Sequence, residues 1–286
     1  MTIKKLLHNF SSKEITEAEL LLANLLKINR VHLISHAEKI VSDIMADKFK
    51  QLIKRKRRGE PLAYLLGSQP FCGLDFMVNH KVLIPRPETE WLAENAAEAL
   101  AQKNFKLLVD VGTGSGCVVI SILKRLTDLG LQRPPAYGID ISLGALQVAR
   151  HNARAHNVKI HWRQGDLLSP LANTLKKITG NLLLTANLPY LTARDYKQMD
   201  SAVQKFEPSV ALKAGGDGLK YYRRLIKFCA ALPTKNFYCL WEIDPCHSQK
   251  ICQLITERFP QSAVRITKDL SDCDRYISIY PSPLRP

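Results

Sequence analysis

Three absences limit what this chain of 286 residues can be. It has no apolar run of about 18 residues, the length that favours a membrane-spanning helix, so we expect no membrane association. Its seven cysteines are odd in number and include no CxxC pair, which argues against a disulfide framework and a zinc ribbon. The apolar stretch Leu6–Phe10 is too short for a secretory signal, and we therefore expect a reduced, cytoplasmic protein.

Acidic residues are also scarce. The chain holds 26 Asp and Glu against 41 Lys and Arg, and its formal net charge of +15 suggests a polyanionic partner. The excess is spread along the chain, because residues 1–90 carry 15 basic against 10 acidic side chains. The one dense run, Lys54–Arg58, is predicted to end a helix, where cations meet the negative end of the dipole. We interpret the charge as steering an acidic protein partner, with nucleic acid not required.

Glycine and proline are absent before Gly59, which favours a small helical bundle. Thr16 and Glu19 have the spacing of a capping box at the start of a leucine-rich helix. A second helix is predicted at Val31–Ile34 and a third over Ala37–Arg58. The apolar residues predicted to share one side of that third helix are Ile40, Ile44 and Leu52.

The organisation changes after the helical region. We predict a helical domain over residues 1–75 and a linker or hairpin over residues 76–90, with a short strand at Lys81–Ile84. Strand and helix patterns alternate over residues 91–286, which predicts a mostly parallel, doubly wound α/β sheet. The eight histidines are dispersed without the spacing of metal ligands, and no metal site is predicted.

A glycine loop follows the first strand of this alternating region. The candidate loop residues are Gly112, Thr113, Gly114, Ser115 and Gly116. The third glycine comes one residue too early for the dinucleotide-binding fingerprint. The GxGxG pattern is similar to the loop of class I S-adenosylmethionine-dependent methyltransferases, although a plain strand–helix turn would also account for it.

Acidic residues follow the next two strands. Asp140 ends the second strand, where a carboxylate can accept hydrogen bonds from a ribose diol. Asp166 and Leu167 follow the third strand and are predicted to lie beside the adenine of a nucleoside cofactor. The alternative is that both acids simply cap the helices that follow them.

The most informative segment is Asn187-Leu188-Pro189-Tyr190, directly after the fourth strand. It resembles the [ND]PP[YFW] motif of amino-methyltransferases, which act on planar nitrogens. The Asn187 side-chain oxygen and the carbonyl of Leu188 can accept the two N–H bonds of such a nitrogen, and Tyr190 offers a flat face. Leu188 replaces the motif's first proline, which keeps the carbonyl but loses the fixed φ. A simple Asn-Pro turn is the alternative interpretation.

The chain as a whole resembles the HemK/PrmC family of protein-glutamine methyltransferases, which modify peptide chain release factors. Five segments carry this resemblance along nearly the whole length, and the PRPETE string is the most diagnostic. They are Glu60–Tyr64 with Gly67; Leu83–Glu90; the glycine loop with Asp140; Asn187–Tyr190 with Phe206–Pro208, Ala211-Leu212 and Gly215–Leu219; and Lys268–Leu270 with Asp274-Arg275.

The resemblance implies a seven-stranded, Rossmann-like class I methyltransferase domain behind a helical substrate-recognition domain. It implies methyl transfer from S-adenosyl-L-methionine to the glutamine amide in the GGQ motif of class 1 release factors, by an enzyme we expect to be a monomer. The catalytic residues carried over are Asn187, Leu188, Pro189 and Tyr190. The cofactor residues carried over are Gly112, Thr113, Gly114, Ser115, Gly116, Asp140, Asp166, Leu167 and Asn187.

Several interpretations stay open at the level of sequence. Arg86, Thr89 and Glu90 either brace the cofactor pocket or cap the helix that begins near Thr89. Glu242 fits the end of the fifth strand, but Asp244 stands where the family has glycine. The alternative functions are an amino-methyltransferase that acts on ribosomal protein or nucleic acid, and a non-catalytic binding protein with a decayed site.

Overall fold

The chain divides into two compact units. The structure is a computed structural model that describes residues 1–178, 180–232, 234 and 236–280. The first unit comprises Met1–Ser68 and Asp200–Phe206, and the second comprises Gln69–Met199 and the described residues from Glu207 onward. The predicted domain limits after residues 75 and 90 remain predictions.

The first unit is a bundle of helices around a leucine-rich core. Leu21, Leu22, Leu33 and Phe49 are almost completely buried in it. Its helices are α1 (Ile3–Leu7), α2 (Ile15–Leu26), α3 (Arg30–Ser35), α4 (Asp43–Arg57) and α5 (Leu62–Leu66), together with the short helix Ser201–Phe206.

The capping box predicted at Thr16 and Glu19 is wrong. Helix α2 already begins one residue before Thr16, so its first turn is organised by an earlier pair. The Glu14 carboxylate accepts a hydrogen bond of 2.8 Å from the Ser11 hydroxyl and a longer one from the Ser11 backbone N–H. Glu19 instead forms an ion pair of 2.7 Å with Arg30 of α3.

The predicted buried side of the third helix is also wrong in part. Helix α4 begins only after Ser42, whose hydroxyl accepts a backbone N–H of the first turn, so Ile40 lies outside it. Ile40 is 77% and Ile44 69% exposed. Ile44 lies five residues before the buried Phe49, which is about 140° around the helix. Of the three predicted residues, only Leu52 packs against the core.

The basic run Lys54–Arg58 is partly neutralised within the first unit. Arg55 forms an ion pair of 2.5 Å with the buried carboxylate of Glu60, and Lys56 forms one of 3.1 Å with Glu17 of α2. The run therefore helps to fasten the end of α4 to its neighbours and is less available for a distant partner than its sequence suggests.

The second unit contains a hairpin and a seven-stranded sheet. The hairpin strands are β1 (Ser68–Phe71) and β2 (Leu74–Met77), and the sheet strands are β3 (Leu107–Val111), β4 (Ala136–Asp140), β5 (His161–Gln164), β6 (Leu182–Asn187), β7 (Phe237–Glu242), β8 (Ala263–Lys268) and β9 (Asp274–Tyr280). The helices are α6 (Glu90–Gln102), α7 (Cys117–Asp128), α8 (Leu143–Ala155), α9 (Ala172–Leu175), α10 (Ala193–Gln198), α12 (Lys220–Ala230) and α13 (Ser248–Arg258), α11 being Ser201–Phe206 of the first unit.

The strand order is β5-β4-β3-β6-β7-β9-β8. Strands β3 to β7 are parallel, and β9 runs antiparallel to both β7 and β8. This order confirms the predicted class I methyltransferase fold. The direction of winding reverses between β3 and β6, and ligands of open α/β sheets bind at such a point, beyond the carboxyl ends of the strands.

Alternate residues of the central strands feed two apolar cores. Leu108 and Leu183 pack with helices α6 and α7 on one face of the sheet, whereas Val109 and Leu184 pack with α12 and α13 on the other. Burial on both faces explains why β3 and β6 read as continuous apolar runs rather than as alternating ones.

The strand predicted at Lys81–Ile84 is wrong, because its backbone is used in other ways. The Val82 N–H donates to the Asn79 carbonyl in a turn, and the Ile84 N–H donates to the Glu207 carboxylate. The segment is therefore not a strand, and the hairpin of this region forms earlier, from β1 and β2.

Candidate active site

Twenty-nine residues of the second unit line a cleft at the carboxyl ends of the parallel strands. The cleft encloses about 1070 Å³ of empty space, including the part of its mouth that opens to solvent. The sequence-predicted site residues along its wall are Gly112, Thr113, Gly114, Ser115, Asp140, Asp166, Leu167, Asn187, Leu188 and Pro189. Gly116 and Tyr190, also predicted, are not among the lining residues of the described chain.

Backbone contacts hold the glycine loop against β4. The N–H groups of Gly112 and Thr113 both donate to the Ile139 carbonyl at 2.9 Å. Gly112, Gly114 and Gly116 all have positive φ, between +54° and +80°, a region that side chains with a Cβ rarely adopt. The loop conformation thus requires its glycines, as the GxGxG pattern predicts.

Gly116 lies beneath the cleft rather than on its wall. A Cβ at this position would meet Ile120 at 3.0 Å and Ala149 and Trp162 at 3.2 Å. Neighbouring Gly138 of β4 has no room for a side chain, because the Trp162 ring lies directly against it. These close approaches bring the loop, β4 and β5 together and so shape the cleft from below.

Asp140 fastens the loop by its side chain. Its Oδ2 accepts the Gly114 N–H at 2.9 Å and its Oδ1 accepts the Ser142 N–H at 2.8 Å. A carboxylate has about four acceptor positions, so acceptor capacity remains for a ligand diol. Burial raises the pKa of Asp140, and the backbone hydrogen bonds partly offset that rise. The helix cap weighed as an alternative belongs to the Ser142 hydroxyl, which accepts the Ala145 N–H.

The segment after β5 meets the cleft through Asp166 and Leu167. The Asp166 carboxylate forms an ion pair with Arg224 of α12, so part of its hydrogen-bonding capacity is already used. Leu167 is buried with a φ of +48°. Both residues line the cleft, and their position beside the adenine of the cofactor stays a prediction.

Asp110, at the end of β3, was not predicted to have a role. Its two carboxylate oxygens accept hydrogen bonds from the hydroxyls of Thr113 and Thr185, at 2.6 and 2.7 Å. Burial raises its pKa to about 6 despite these two hydrogen bonds. An acidic residue near the carboxyl end of an apolar strand is the sequence signal that could have identified Asp110.

Asn187 is the last residue of β6, and its amide is held at the nitrogen end. Its Nδ2 donates to Thr89 Oγ1 at 3.1 Å and to Glu242 Oε2 at 3.0 Å. The Thr89 hydroxyl in turn donates to the same Glu242 oxygen at 2.7 Å. Among the described residues, Asn187 Oδ1 accepts no hydrogen bond, so this oxygen is available to a ligand.

The rest of the motif supports this arrangement. Leu188 is buried, and its side chain packs against Gly112, so the turn after β6 directly contacts the glycine loop. The Tyr190 ring lies partly buried against the core, and burial raises the pKa of its phenol to about 12. The following residue, Leu191, pairs through its backbone with Leu212 and Ala214.

The PRPETE string makes three separate side-chain contacts, two of which brace the cleft. Arg86 forms an ion pair of 2.6 Å with the buried Glu207, and Thr89 contacts Glu242. Glu90 faces away from the cleft and accepts the Cys72 N–H of the hairpin at 2.8 Å. Thr89 makes no side-chain cap on α6, which favours bracing over capping.

Two further residues were missed or doubted. Asn152, on the buried side of α8, bonds to the Met77 backbone and donates to the Ser115 carbonyl at 2.9 Å, so it joins the hairpin to the loop. Asp244, where the family has glycine, accepts the Cys246 N–H and caps the short turn Pro245–His247. The departure is therefore local and leaves Glu242 in place.

Comparison with known proteins agrees with this geometry. The PrmC N-terminal domain model matches residues 2–67, and the methyltransferase small domain model matches residues 89–184. The release factor glutamine methyltransferase of Nitratidesulfovibrio vulgaris is 33% identical over 276 residues, which cover 94% of this chain and 89% of that protein. The protein of the same description from Bacillus cereus is 32% identical over 263 residues, covering 91% and 90%.

The chain belongs to the release factor glutamine methyltransferase family. This confirms the resemblance inferred from the PRPETE and NLPY segments. The fold is shared more widely: the hMettl16 catalytic domain, solved in complex with MAT2A 3'UTR hairpin 6, aligns with a TM-score of 0.54 at 13% identity, over 75% of this chain and 78% of that one. At that identity the likeness concerns the fold alone.

The cleft fits the cofactor of this family, S-adenosylmethionine. The positive-φ glycines carry no side chain into the cleft beside the loop, and Asp140 keeps acceptor capacity at the end of β4. The chain is thus an S-adenosylmethionine-dependent methyltransferase.

Two structural features are absent from the described residues. Over residues 1–178, 180–232, 234 and 236–280, no group of three or more His, Cys, Asp or Glu is arranged to hold a metal ion. In the same part of the chain, no helix combines the length and the apolar character needed to cross a membrane.

Proposed function

We propose that the protein methylates the side-chain amide nitrogen of the glutamine in the GGQ motif of class 1 peptide chain release factors, in the cytoplasm and as a monomer. The observation that carries the proposal is the anchoring of Asn187 by its nitrogen, which leaves Oδ1 as an acceptor at the carboxyl end of β6. Family membership supports a release factor as the substrate over other molecules that carry a planar nitrogen.

An amide nitrogen is a poor nucleophile, because its lone pair is delocalised into the carbonyl group. Asn187 Oδ1 and the carbonyl oxygen of Leu188 would accept its two N–H bonds. These two hydrogen bonds would orient the nitrogen toward the methyl group. They would also increase the electron density on the nitrogen, which favours its attack. The nitrogen would gain the methyl group as its bond to the sulfonium sulfur breaks, which would leave the cofactor as a neutral thioether. The nitrogen would then release one of these protons to water, which leaves a neutral secondary amide.

S-adenosylmethionine supplies, when bound, an electrophilic methyl group on a sulfonium. The residues that would hold it are the glycine loop, Asp140 and the segment Asp166-Leu167. The ion pair between Arg86 and Glu207 holds the opposite wall. Apolar residues of the lining, among them Val82, Ile84 and Leu188, would limit the access of water to the bound reactants.

The test is a methyl-transfer assay with radiolabelled S-adenosylmethionine. We expect label in a purified class 1 release factor, and no label in the same factor when its GGQ glutamine is replaced by alanine. Ribosomal protein and RNA are run as parallel acceptors. Transfer to either of these without transfer to the release factor would replace the proposal with the corresponding amino-methyltransferase. The molar mass of the protein, measured by light scattering as it elutes from a size-exclusion column, tests whether it is a monomer.

A further inference from the structure

The carboxylate of Glu242 lies directly behind Asn187. The two residues are register partners at the ends of the parallel neighbours β6 and β7. Glu242 is 3% exposed, and its backbone carbonyl accepts the buried Tyr222 hydroxyl at 2.6 Å. Its position is therefore fixed by the sheet and by α12, independently of any ligand.

The partners of Asn187 specify which end of its amide faces inward. An ionised carboxylate can only accept, so Glu242 Oε2 requires the NH₂ group of Asn187 and not its oxygen. The Thr89 hydroxyl gives its single proton to Glu242 and can offer Asn187 only a lone pair. Turning the amide over would place its oxygen against two acceptors, which is unfavourable in a buried site.

We propose that Glu242 is a positioning residue for methyl transfer, which through its hydrogen bonds to Asn187 and Thr89 holds Asn187 Oδ1 toward the acceptor nitrogen. The inference rests on the proposed function. A negative charge behind the NH₂ group also polarises the amide, so Oδ1 becomes a stronger acceptor for the substrate N–H.

The surroundings of Glu242 give the inference a pH signature. Burial raises the pKa of Glu242 to about 7, although its hydrogen bond from Thr89 and the positive charge of Arg275 oppose the rise. Arg275 itself forms an ion pair of 3.0 Å with Asp269. The charged and titratable groups that face Glu242 from the surrounding elements are Glu88, Tyr190, Tyr222, Arg275 and Tyr276.

Protonation of Glu242 would remove the charge that fixes and polarises Asn187. We therefore expect kcat of the unmodified protein to fall as the pH is lowered through about 7. Burial raises the pKa values of the neighbouring phenols Tyr190 and Tyr222, so both stay neutral over this range.

The experiment compares Glu242→Gln and Glu242→Ala with Glu257→Gln, an exposed glutamate of α13. For Glu242→Gln we expect kcat about tenfold lower at pH 8, loss of the fall below pH 7, and a KM for release factor within about threefold of the original. For Glu242→Ala we expect a loss of about a hundredfold. Glu257→Gln should behave as the unmodified protein.

Two readouts separate this role from a merely structural one. Calorimetric affinity for S-adenosylhomocysteine should be unchanged in Glu242→Gln. The side-chain NH₂ resonance of Asn187, identified by its loss in Asn187→Ala, should shift with pH around a midpoint near 7 and stop doing so in Glu242→Gln.

A Glu242→Gln protein that keeps the original pH profile and the original titration of the Asn187 signal would overturn the inference. Because the resonance needs no methyl transfer, it reports on Glu242 even if release factor proves not to be the substrate. Failure of the proposed function and failure of this inference are therefore distinguishable.

Discussion

The two halves of the cleft are built by different means. At the ends of β3 and β4, backbone groups form most of the contacts. The glycines have positive φ, two N–H groups donate to the Ile139 carbonyl, and Asp140 accepts two further N–H groups. At the ends of β6 and β7, side chains from three distant segments meet, namely Asn187, Glu242 and Thr89. The first half therefore depends on conformation, and the second on chemical groups at defined positions.

This difference predicts separate effects. The half of the cleft around the glycine loop would hold the methyl donor, and we call it the donor half. Changes there should act first on cofactor affinity and stability. Changes at the acceptor half, around Asn187, should act first on kcat, because acceptors for a substrate N–H can be lost without altering the loop.

The largest effect is expected for Asn187→Ala. It removes Oδ1, which no neighbouring group replaces, and we expect kcat to fall by a hundredfold or more. Affinity for S-adenosylmethionine, measured by calorimetry, should change by less than about threefold. Asn181→Ala, at the opposite end of β6, is the control and should keep full activity. A parallel loss of cofactor affinity in Asn187→Ala would mean that the two halves are not separable.

Gly116→Ala is expected to act on the donor half. The new Cβ would be strained at φ +80° and would press on Ile120, Ala149 and Trp162. We expect cofactor affinity to fall about tenfold or more, with kcat at saturating cofactor much less affected. Gly130→Ala has a similar φ, of +68°, but open space around the new Cβ, so it isolates the cost of backbone strain, about 1–2 kcal/mol. Equal behaviour of the two variants would contradict the packing argument.

Leu188→Ala probes the contact between the halves. The carbonyl of residue 188 remains, but the buried side chain against Gly112 is lost. We expect a loss of about 2–4 kcal/mol in the free energy of unfolding and several-fold weaker cofactor binding, with kcat reduced far less than in Asn187→Ala. Leu184→Ala, buried in the middle of β6, should cost similar stability without the change in cofactor affinity. Full inactivation of Leu188→Ala at saturating cofactor would argue against the carbonyl as an acceptor.

The smallest effect concerns Asp110 and pH. Its pKa is raised to about 6 from an ordinary value near 3.8, so the fold favours the protonated form. Its contribution to the free energy of unfolding is full below pH about 4, declines as the pH rises, and is lost above about 6.

Urea unfolding of the original protein and of Asp110→Asn from pH 4 to 7 tests this directly. The stability of the original protein relative to the variant should fall over that range, by an amount on the order of 2 kcal/mol. Asp128→Asn, on the exposed end of α7, is the control variant. A difference that is constant with pH would show that burial does not control this carboxyl.

The sequence by itself determined the fold class, the carboxyl ends of the parallel strands that carry the candidate site, and the family. It could do so because these rest on local signals: apolar runs, the glycines that a tight turn requires, and the contiguous PRPETE and NLPY strings. It misplaced the cap of α2 and the exposed residues Ile40 and Ile44, because the point where a helix begins depends on competing hydrogen bonds.

Only the tertiary structure decided which groups stand behind the reacting positions. Asn187 lies 98 residues after Thr89 and 55 residues before Glu242. No local sequence pattern predicts that these three side chains share hydrogen bonds. Sheet register brings Asn187 beside Glu242, and burial there makes a carboxyl both costly to ionise and effective as a fixed acceptor. The physical reason is that register and burial are properties of the packed chain, whereas turns and strands can be read from neighbouring residues alone.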